Sequence, residues 1–179
     1  MAAPVLGTLY VSPFFVSEDC VITQLSVVIS AAGAAGTAKA RIGVWADGAG
    51  VPGALIFDAG QVATDVTQER SIATWIVVSR GWYWRGAVTQ GSGATGTYRS
   101  IAGANGLVNA YPLQHWSAGI PVIGSSAGAA PAVSGYTITG ETGAFANNFW
   151  RTPPASQTIA DNNVCILVGV KVSVPILDG

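Results

Sequence analysis

Glycine and proline divide this chain into short segments, and none of these segments has the spacing of an amphipathic helix. The 179 residues include 23 glycines and nine prolines, spread along the whole length. Apolar residues do not recur at helical spacing in any long window, and glycine or β-branched residues interrupt each candidate. Short apolar runs bounded by turn residues are instead typical of β-strands. The chain is therefore predicted to be all-β.

Strands are clearest in the first half of the chain, which has room for about six. Residues 37–46 alternate in period two, with Ile42 and Val44 on one face and Arg41, Gly43 and Trp45 on the other, which predicts a half-buried strand. The other strands predicted in this half span residues 10–16, 20–30, 55–62 and an aromatic segment that follows Gly81.

Turn-forming residues separate these strands. Residues 47–53, Asp-Gly-Ala-Gly-Val-Pro-Gly, predict a chain reversal in which the glycines supply positive φ. Residues 64–71 read as a polar connection, and residues 91–135 as long loops with short strands. Regular strands are expected again at residues 136–139 and 164–175. The fold class is predicted to be a single antiparallel β-sandwich domain over residues 1–179, jelly-roll-like, with long mid-chain loops.

Charge is scarce. Only 9% of residues are charged, against about 25% in ordinary soluble domains, and the net charge is −1. No block of basic residues favours nucleic acid, no apolar run is long enough to span a membrane, and no basic n-region precedes the first apolar residues. We expect a protein made in the cytoplasm of its host. A surface with so little charge is expected to be buried against other copies.

Catalytic and cofactor chemistry has little support in the sequence. His115 is the only histidine, so no multi-histidine metal site exists, and no nucleophile elbow, phosphate loop or paired-cysteine motif occurs. No catalytic residue, cofactor or metal is therefore predicted. Two buried free thiols are favoured over a disulfide for Cys20 and Cys165. A glycosidase needs two carboxylates, and the candidates are Asp47, Asp58, Glu69 and Glu141. Asp47 and Asp58 stand beside glycine turns and are better interpreted as turn-forming aspartates.

Aromatic residues are the most suggestive feature. Six tryptophans are many for this length, and an exposed subset could stack on sugar rings or anchor a protein interface. For Trp82 and Trp84, packing in the core or between subunits is favoured over glycan binding. The best candidates for interface or ligand contacts are Trp150 with its neighbours Phe149 and Arg151, and two aromatics of the loop-rich part, Trp116 and Tyr111.

Residues 9–90 resemble a β-sandwich module of bacteriophage tail fibres, tail-tip proteins and related virion proteins. The resemblance consists of a strand ending in an aromatic, an Asp/Gly/Pro turn, a Gly-x-Leu step and a small glycine turn. The matching positions are Ile42, Gly43, Trp45, Asp47, Pro52, Gly53, Leu55 and Gly60. The resemblance implies a virion component, often a homotrimer, with loops used for attachment. It carries over no catalytic residue.

These observations predict a non-enzymatic structural component of a phage virion, located in a tail fibre, a tail tip or a capsid decoration. Its expected partners are further copies of itself and other virion proteins. An alternative hypothesis is a carbohydrate-binding host-attachment domain that contacts a host surface glycan. A glycan-degrading enzyme is a third hypothesis, and it depends on the scattered carboxylates alone.

Overall fold

A computed structural model describes residues 4–49, 51–102, 135–139, 141–145, 159–162, 164–166 and 168–173. Every regular element within these ranges is a β-strand, and every strand pair is antiparallel. The described ranges accordingly contain no helix long and apolar enough to cross a bilayer. The predicted all-β antiparallel sandwich is confirmed, while the jelly-roll connectivity stays a prediction.

The described ranges contain twelve strands. In chain order they are β1 (Leu9–Val16), β2 (Cys20–Ala31), β3 (Lys39–Asp47), β4 (Pro52–Ala63), β5 (Glu69–Val78), β6 (Gly81–Gln90), β7 (Thr97–Tyr98), β8 (Ser100–Ala102), β9 (Gly135–Ile138), β10 (Ile159–Asn162), β11 (Val164–Ile166) and β12 (Val168–Ser173).

The strands form two main sheets. The larger has six strands in the order β10-β9-β1-β6-β3-β4, and the smaller has the order β12-β2-β5 with β7 also paired to β2. A two-stranded sheet joins β11 to β8. Within the described ranges, β5 therefore forms one edge of the smaller sheet and β4 one edge of the larger.

The main core lies between the two sheets. It is built from the alternating inward side chains of both, which is what a sandwich requires. Its buried members are Phe14 and Val16 of β1, Cys20, Ile22, Leu25, Val27 and Ile29 of β2, Ala40, Ile42 and Val44 of β3, Ile76 and Val78 of β5, Ala87 of β6, Tyr98 of β7, Ile166 of β11 and Val168 of β12.

Most predicted strands are present, and three details need correction. The strand β5 was not recognised, and it begins inside the predicted polar connection 64–71. The strand predicted over residues 164–175 is two strands, β11 and β12, in different sheets. The strand β3 is buried on both faces at Gly43 and Trp45, not half-buried, because a distant segment covers its outer face.

The turn between β3 and β4 also differs from the prediction. Of its described residues, Ala49 adopts positive φ, at 68°, whereas Gly48 and Gly53 do not. The two glycines instead permit a close approach, since a Cβ on Gly48 would lie 3.0 Å from the Cα of Gly53. The reversal itself is confirmed, with the Gly48 amide donating to the Val51 carbonyl at 2.7 Å.

Candidate interaction surfaces

The five side chains proposed as interface or ligand contacts, and the single histidine, lie outside the described residues. They are Tyr111, Trp116, Phe149, Trp150, Arg151 and His115. Their roles stay predictions. The candidate surfaces are therefore built from the two outer faces of the sandwich.

The scattered carboxylates have structural partners. Asp58 accepts hydrogen bonds from Nε of Arg41 at 2.8 Å and from the backbone amide of Gly60, two residues on, at 3.0 Å. The second of these is the turn-forming contact predicted for this aspartate. Asp47 accepts from the indole Nε1 of Trp84 at 2.9 Å. Both carboxylates thus hold parts of the larger sheet in place.

Glu69 and Glu141 lie in different surroundings. Glu69 is exposed at the start of β5, in the smaller sheet. Glu141 is buried, and its backbone amide donates to the carbonyl of Gly7 at 2.8 Å. Across the part of the chain that the structure describes, no three His, Cys, Asp or Glu side chains come together as metal ligands would.

Cys20 is a buried free thiol at the start of β2, as the sequence predicts. Burial raises the pKa of the Cys20 thiol, and the nearby Glu18 and Asp19 raise it further. Because the thiolate is the reactive form of cysteine, this environment disfavours reaction at neutral pH. The side chain of Cys165 lies outside the described set.

The outer face of the larger sheet carries a second apolar cluster. We call residues 141–145 the cover segment, because Phe145 lies over this face. The indole of Trp45 meets the Phe145 ring edge-on, with ring centroids 5.0 Å apart. The cluster is completed by side chains of β1, β3 and β6, and its buried members are Leu9, Val11, Trp45, Trp84, Val88 and Phe145.

Hydrogen bonds tie the cover segment down at three points. The Phe145 amide donates to the Asp58 carboxylate at 3.2 Å, and Nε2 of Gln90 donates to the Gly143 carbonyl at 2.8 Å. The third is the Glu141 amide bond to Gly7. Arg41, which forms a 2.8 Å ion pair with Asp58, also lies 5.8 Å from the centre of the Phe145 ring.

The outer face of the smaller sheet is different, because large apolar side chains stand on it in the open. Trp75 is 75% exposed and Val77 is 74% exposed, while their neighbours Ile76 and Val78 point into the core. These residues belong to β5, the edge strand. Residues 71–79, Ser-Ile-Ala-Thr-Trp-Ile-Val-Val-Ser, contain no charged residue. This alternating uncharged run is the sequence signal that could have identified β5.

A shallow groove of about 260 Å³ crosses the same sheet. Gly169 helps to form its floor, since a Cβ there would come within 2.5 Å of Oγ of Ser26. In the register of the sheet, Gln24 faces Ala73 on one side and Lys171 on the other, so Trp75 is the next outward residue along β5. The groove is lined by Gln24, Ser26, Glu69, Gly169, Val170 and Lys171.

A smaller exposed aromatic pair lies at one end of the larger sheet. Phe15 and Trp82 face each other across β1 and β6, with ring centroids 4.9 Å apart, and each is about two-fifths exposed. Trp84, on the same face two residues further along β6, is buried in the covered cluster. The predicted core packing is thus confirmed for Trp84 and is partial for Trp82.

Comparison with known proteins adds no relative to these observations. No family model matches the chain, no curated protein matches it, and no solved structure matches it.

Proposed function

We propose that this chain is a non-enzymatic structural component on the surface of a bacteriophage particle, in a tail fibre, a tail tip or a capsid decoration. It assembles as an oligomer and contacts other virion proteins. The observation that carries the proposal is the exposure of Trp75 and Val77 on the uncharged edge strand β5.

An exposed apolar edge strand has a physical cost for a free monomer. Burial of apolar surface contributes roughly 25 cal/mol per Å², which is lost wherever such surface stays in water. Edge strands of monomeric proteins commonly carry lysine, proline or a bulge that prevents pairing with another chain. Residues 71–79 contain no proline and no charged residue. The one irregularity of β5 is a register shift against β2 between Ala73 and Ile76. The edge therefore favours contact with protein.

Composition and the resemblance support the same proposal. A chain with 9% charged residues has few groups that keep copies apart in solution. The segment that resembles the phage module, residues 9–90, spans strands β1 to β6 and therefore includes β5. The structural roles of Asp47 and Asp58 support a non-enzymatic function, because both carboxylates already hold the fold.

The groove beside Trp75 favours a second candidate function, a carbohydrate-binding host-attachment domain. An exposed indole face can stack on a sugar ring, and Gln24 and Lys171, which lie across the sheet from Ala73, offer an amide and an ammonium to hydroxyl groups. The Glu69 carboxylate lies at the far end of the groove, six residues from Trp75 along β5. Trp75 would contact the partner in either candidate function, whereas the groove side chains would contact a ligand in the second function alone.

The oligomeric mass of the purified chain tests the first proposal. We expect sedimentation at micromolar concentration to give a multiple of the 18.2 kDa chain mass. Immunogold electron microscopy with an antibody against the chain is expected to label intact phage particles. A single-chain mass together with unlabelled particles contradicts the proposal.

Glycan arrays and tryptophan fluorescence distinguish the second candidate. Binding of a host surface polysaccharide that is lost in both Trp75→Ala and Gln24→Ala supports a sugar site, because Gln24 belongs to the groove and not to the β5 edge. Flat responses of the unchanged protein exclude it for the glycans tested.

A further inference from the structure

We propose that the partner on the β5 edge is a second copy of this chain, whose own β5 pairs with it in antiparallel fashion about a two-fold axis, with Thr74 of one copy opposite Thr74 of the other. The inference depends on the proposed oligomeric function and names the interface that serves it. The two smaller sheets then join into one continuous sheet across the dimer.

The edge of β5 has the form that such pairing needs. On one side β5 pairs with β2, from Cys20 opposite Val78 to Val28 opposite Glu69. This pairing shifts register between Ile76 and Ala73, so Thr74 and Trp75 lie at an irregular step of the ladder. Within the described ranges no strand pairs with its other side. A strand in this position presents a row of backbone donors and acceptors, which is a template for another strand. The ten residues of β5 give it a length well above the average strand.

Symmetry restricts the possible registers. A two-fold axis perpendicular to a sheet reverses the strand and keeps its outer face on the same side, so outward residues of one copy meet outward residues of the other. The residues of β5 alternate, with Trp75 and Val77 outward and Ile76 and Val78 inward. The registers near the middle of the strand are therefore those centred on Ala73, Thr74 or Trp75.

Side-chain chemistry selects the register centred on Thr74. On its outer face Trp75 lies opposite the small Ala73, and Val77 lies opposite Ser71, so that large side chains meet small ones. On its inner face Ile72 lies opposite Ile76, which extends the apolar core across the axis. The two charged residues of β5, Glu69 and Arg70, are its first two, so they face Ser79 and Val78 at the ends of the paired segment.

The two alternative registers place side chains less favourably. Centring on Trp75 sets Trp75 against itself and Arg70 against Arg80, and facing like charges are destabilising. Centring on Ala73 sets Glu69 against Val77 and Arg70 against Ile76, which puts a charge beside an apolar residue on both faces. Centring on Thr74 leaves one such contact, Arg70 beside Val78, at the end of the strand. The match of large apolar side chains to small ones, together with the pairing of Ile72 with Ile76, is what identifies a second copy as the partner.

A cysteine placed at the axis tests the register. Opposite residues in antiparallel strands have Cα atoms about 4.5–5.5 Å apart, within the reach of a disulfide. We expect Thr74→Cys to form a covalent dimer under mild oxidation. Ala73→Cys is the matched control, since in this register its two copies lie more than about 7 Å apart, beyond bridging distance. The unchanged chain, with its own Cys20 and Cys165, gives the background.

A surface substitution provides a second measurement that does not depend on a cross-link. Trp75→Lys is expected to raise the dimer dissociation constant about tenfold or more, as the loss of a central interface tryptophan does. Trp82→Lys is its control, because Trp82 is exposed on the other sheet. The Trp75 side chain is 75% exposed, so the variant is expected to fold.

The outcomes separate this inference from the proposed function. Selective cross-linking through Thr74→Cys, with a mass reduced by Trp75→Lys, supports the edge pairing. An oligomer that neither variant affects, or one that cross-links through Ala73→Cys instead, overturns this pairing and leaves the oligomeric function standing. A single-chain mass for the unchanged protein overturns both.

Discussion

The outer faces of the two sheets carry similar large apolar side chains, but those beneath the cover segment of the larger sheet are buried and those of the smaller sheet are exposed. On the larger sheet Trp45 and Trp84 are almost completely buried, whereas on the smaller sheet Trp75 is three-quarters exposed. All three are tryptophans on strands that alternate in period two. What separates them is Phe145, which reaches the larger sheet from a segment more than fifty residues after β6. Alternation along a strand therefore does not decide which face is core.

Glycines leave space on the outer faces of both sheets, and among the described residues that space is covered on the larger sheet alone. On the larger sheet Gly43 lies opposite Gly86, and together they leave a depression. A Cβ on Gly43 would come within 2.8 Å of the Phe145 ring, so the ring occupies the space that a side chain would fill. On the smaller sheet Gly169 opens a similar depression beside Ser26, and there the described residues leave a groove.

The largest expected effect distinguishes the covered tryptophan from the open one. Trp45→Ala removes a fully buried indole from the covered cluster, and we expect the free energy of unfolding to fall by about 3–5 kcal/mol. Denaturant unfolding followed by circular dichroism measures it. Trp75→Ala is the matched control. Its free energy of unfolding, extrapolated to low protein concentration, is expected to stay within about 0.5 kcal/mol of that of the unchanged protein.

If both variants lost the same free energy of unfolding at every protein concentration, the proposed difference between the covered and the exposed face would be contradicted. That result would mean that Trp75 is as well packed within its own chain as Trp45. A Trp75→Ala loss that grows with protein concentration instead agrees with contact between copies, because a subunit interface stabilises by mass action.

A smaller effect tests whether the glycine depression is needed. In Gly86→Ala the new Cβ would lie 2.5 Å from Cγ1 of Val11 and 2.6 Å from the Tyr10 carbonyl oxygen. Because one of these atoms is backbone, relief requires the strands to shift, and we expect a loss of about 1–3 kcal/mol. Gly143→Ala in the cover segment meets nothing within 4 Å and is the control. A neutral Gly86→Ala shows that the face does not depend on the depression.

The strands were predictable because their signals are local. Period-two alternation and the Asp/Gly/Pro turn gave β3 and β4 within a few residues, and Asp58 formed its predicted bond to the Gly60 amide. The strand β5 was missed because Glu69 and Arg70 at its start read as part of a polar connection. Its alternating Trp75 and Val77 carry the signal, but period two does not tell which face stays open.

The candidate surfaces were harder to predict for a physical reason. Burial of Trp45 depends on Phe145, a contact separated by a hundred residues that no local pattern reveals. The sequence predicts exposure for aromatic residues that are flanked by loop residues, such as Trp150. That residue lies outside the described residues. The exposed indole of Trp75 instead lies on a strand, where alternation predicts two faces and does not say which of them is buried.

The smallest effect concerns the anchor of the cover segment. Asp58→Asn keeps one oxygen that can accept from Gly60, but it loses the charge that pairs with Arg41 and the second oxygen that accepts from the Phe145 amide. We expect a loss of about 1–2 kcal/mol, since the pair is partly solvated. Hydrogen exchange at the Phe145 amide is expected to accelerate, while amides of the core strand β2 keep their relative protection.

Asp65→Asn is the control for this change, because Asp65 lies 3.9 Å from Arg70 in a looser ion pair near the smaller sheet. Its effect on the Phe145 amide is expected to be nil. Faster exchange at Phe145 in Asp58→Asn alone means that one carboxylate on β4 holds the cover over Trp45. Unchanged exchange at the Phe145 amide would mean that packing of the Phe145 ring keeps the cover segment in place. The difference between the two faces would then come from apolar contact and not from hydrogen bonding.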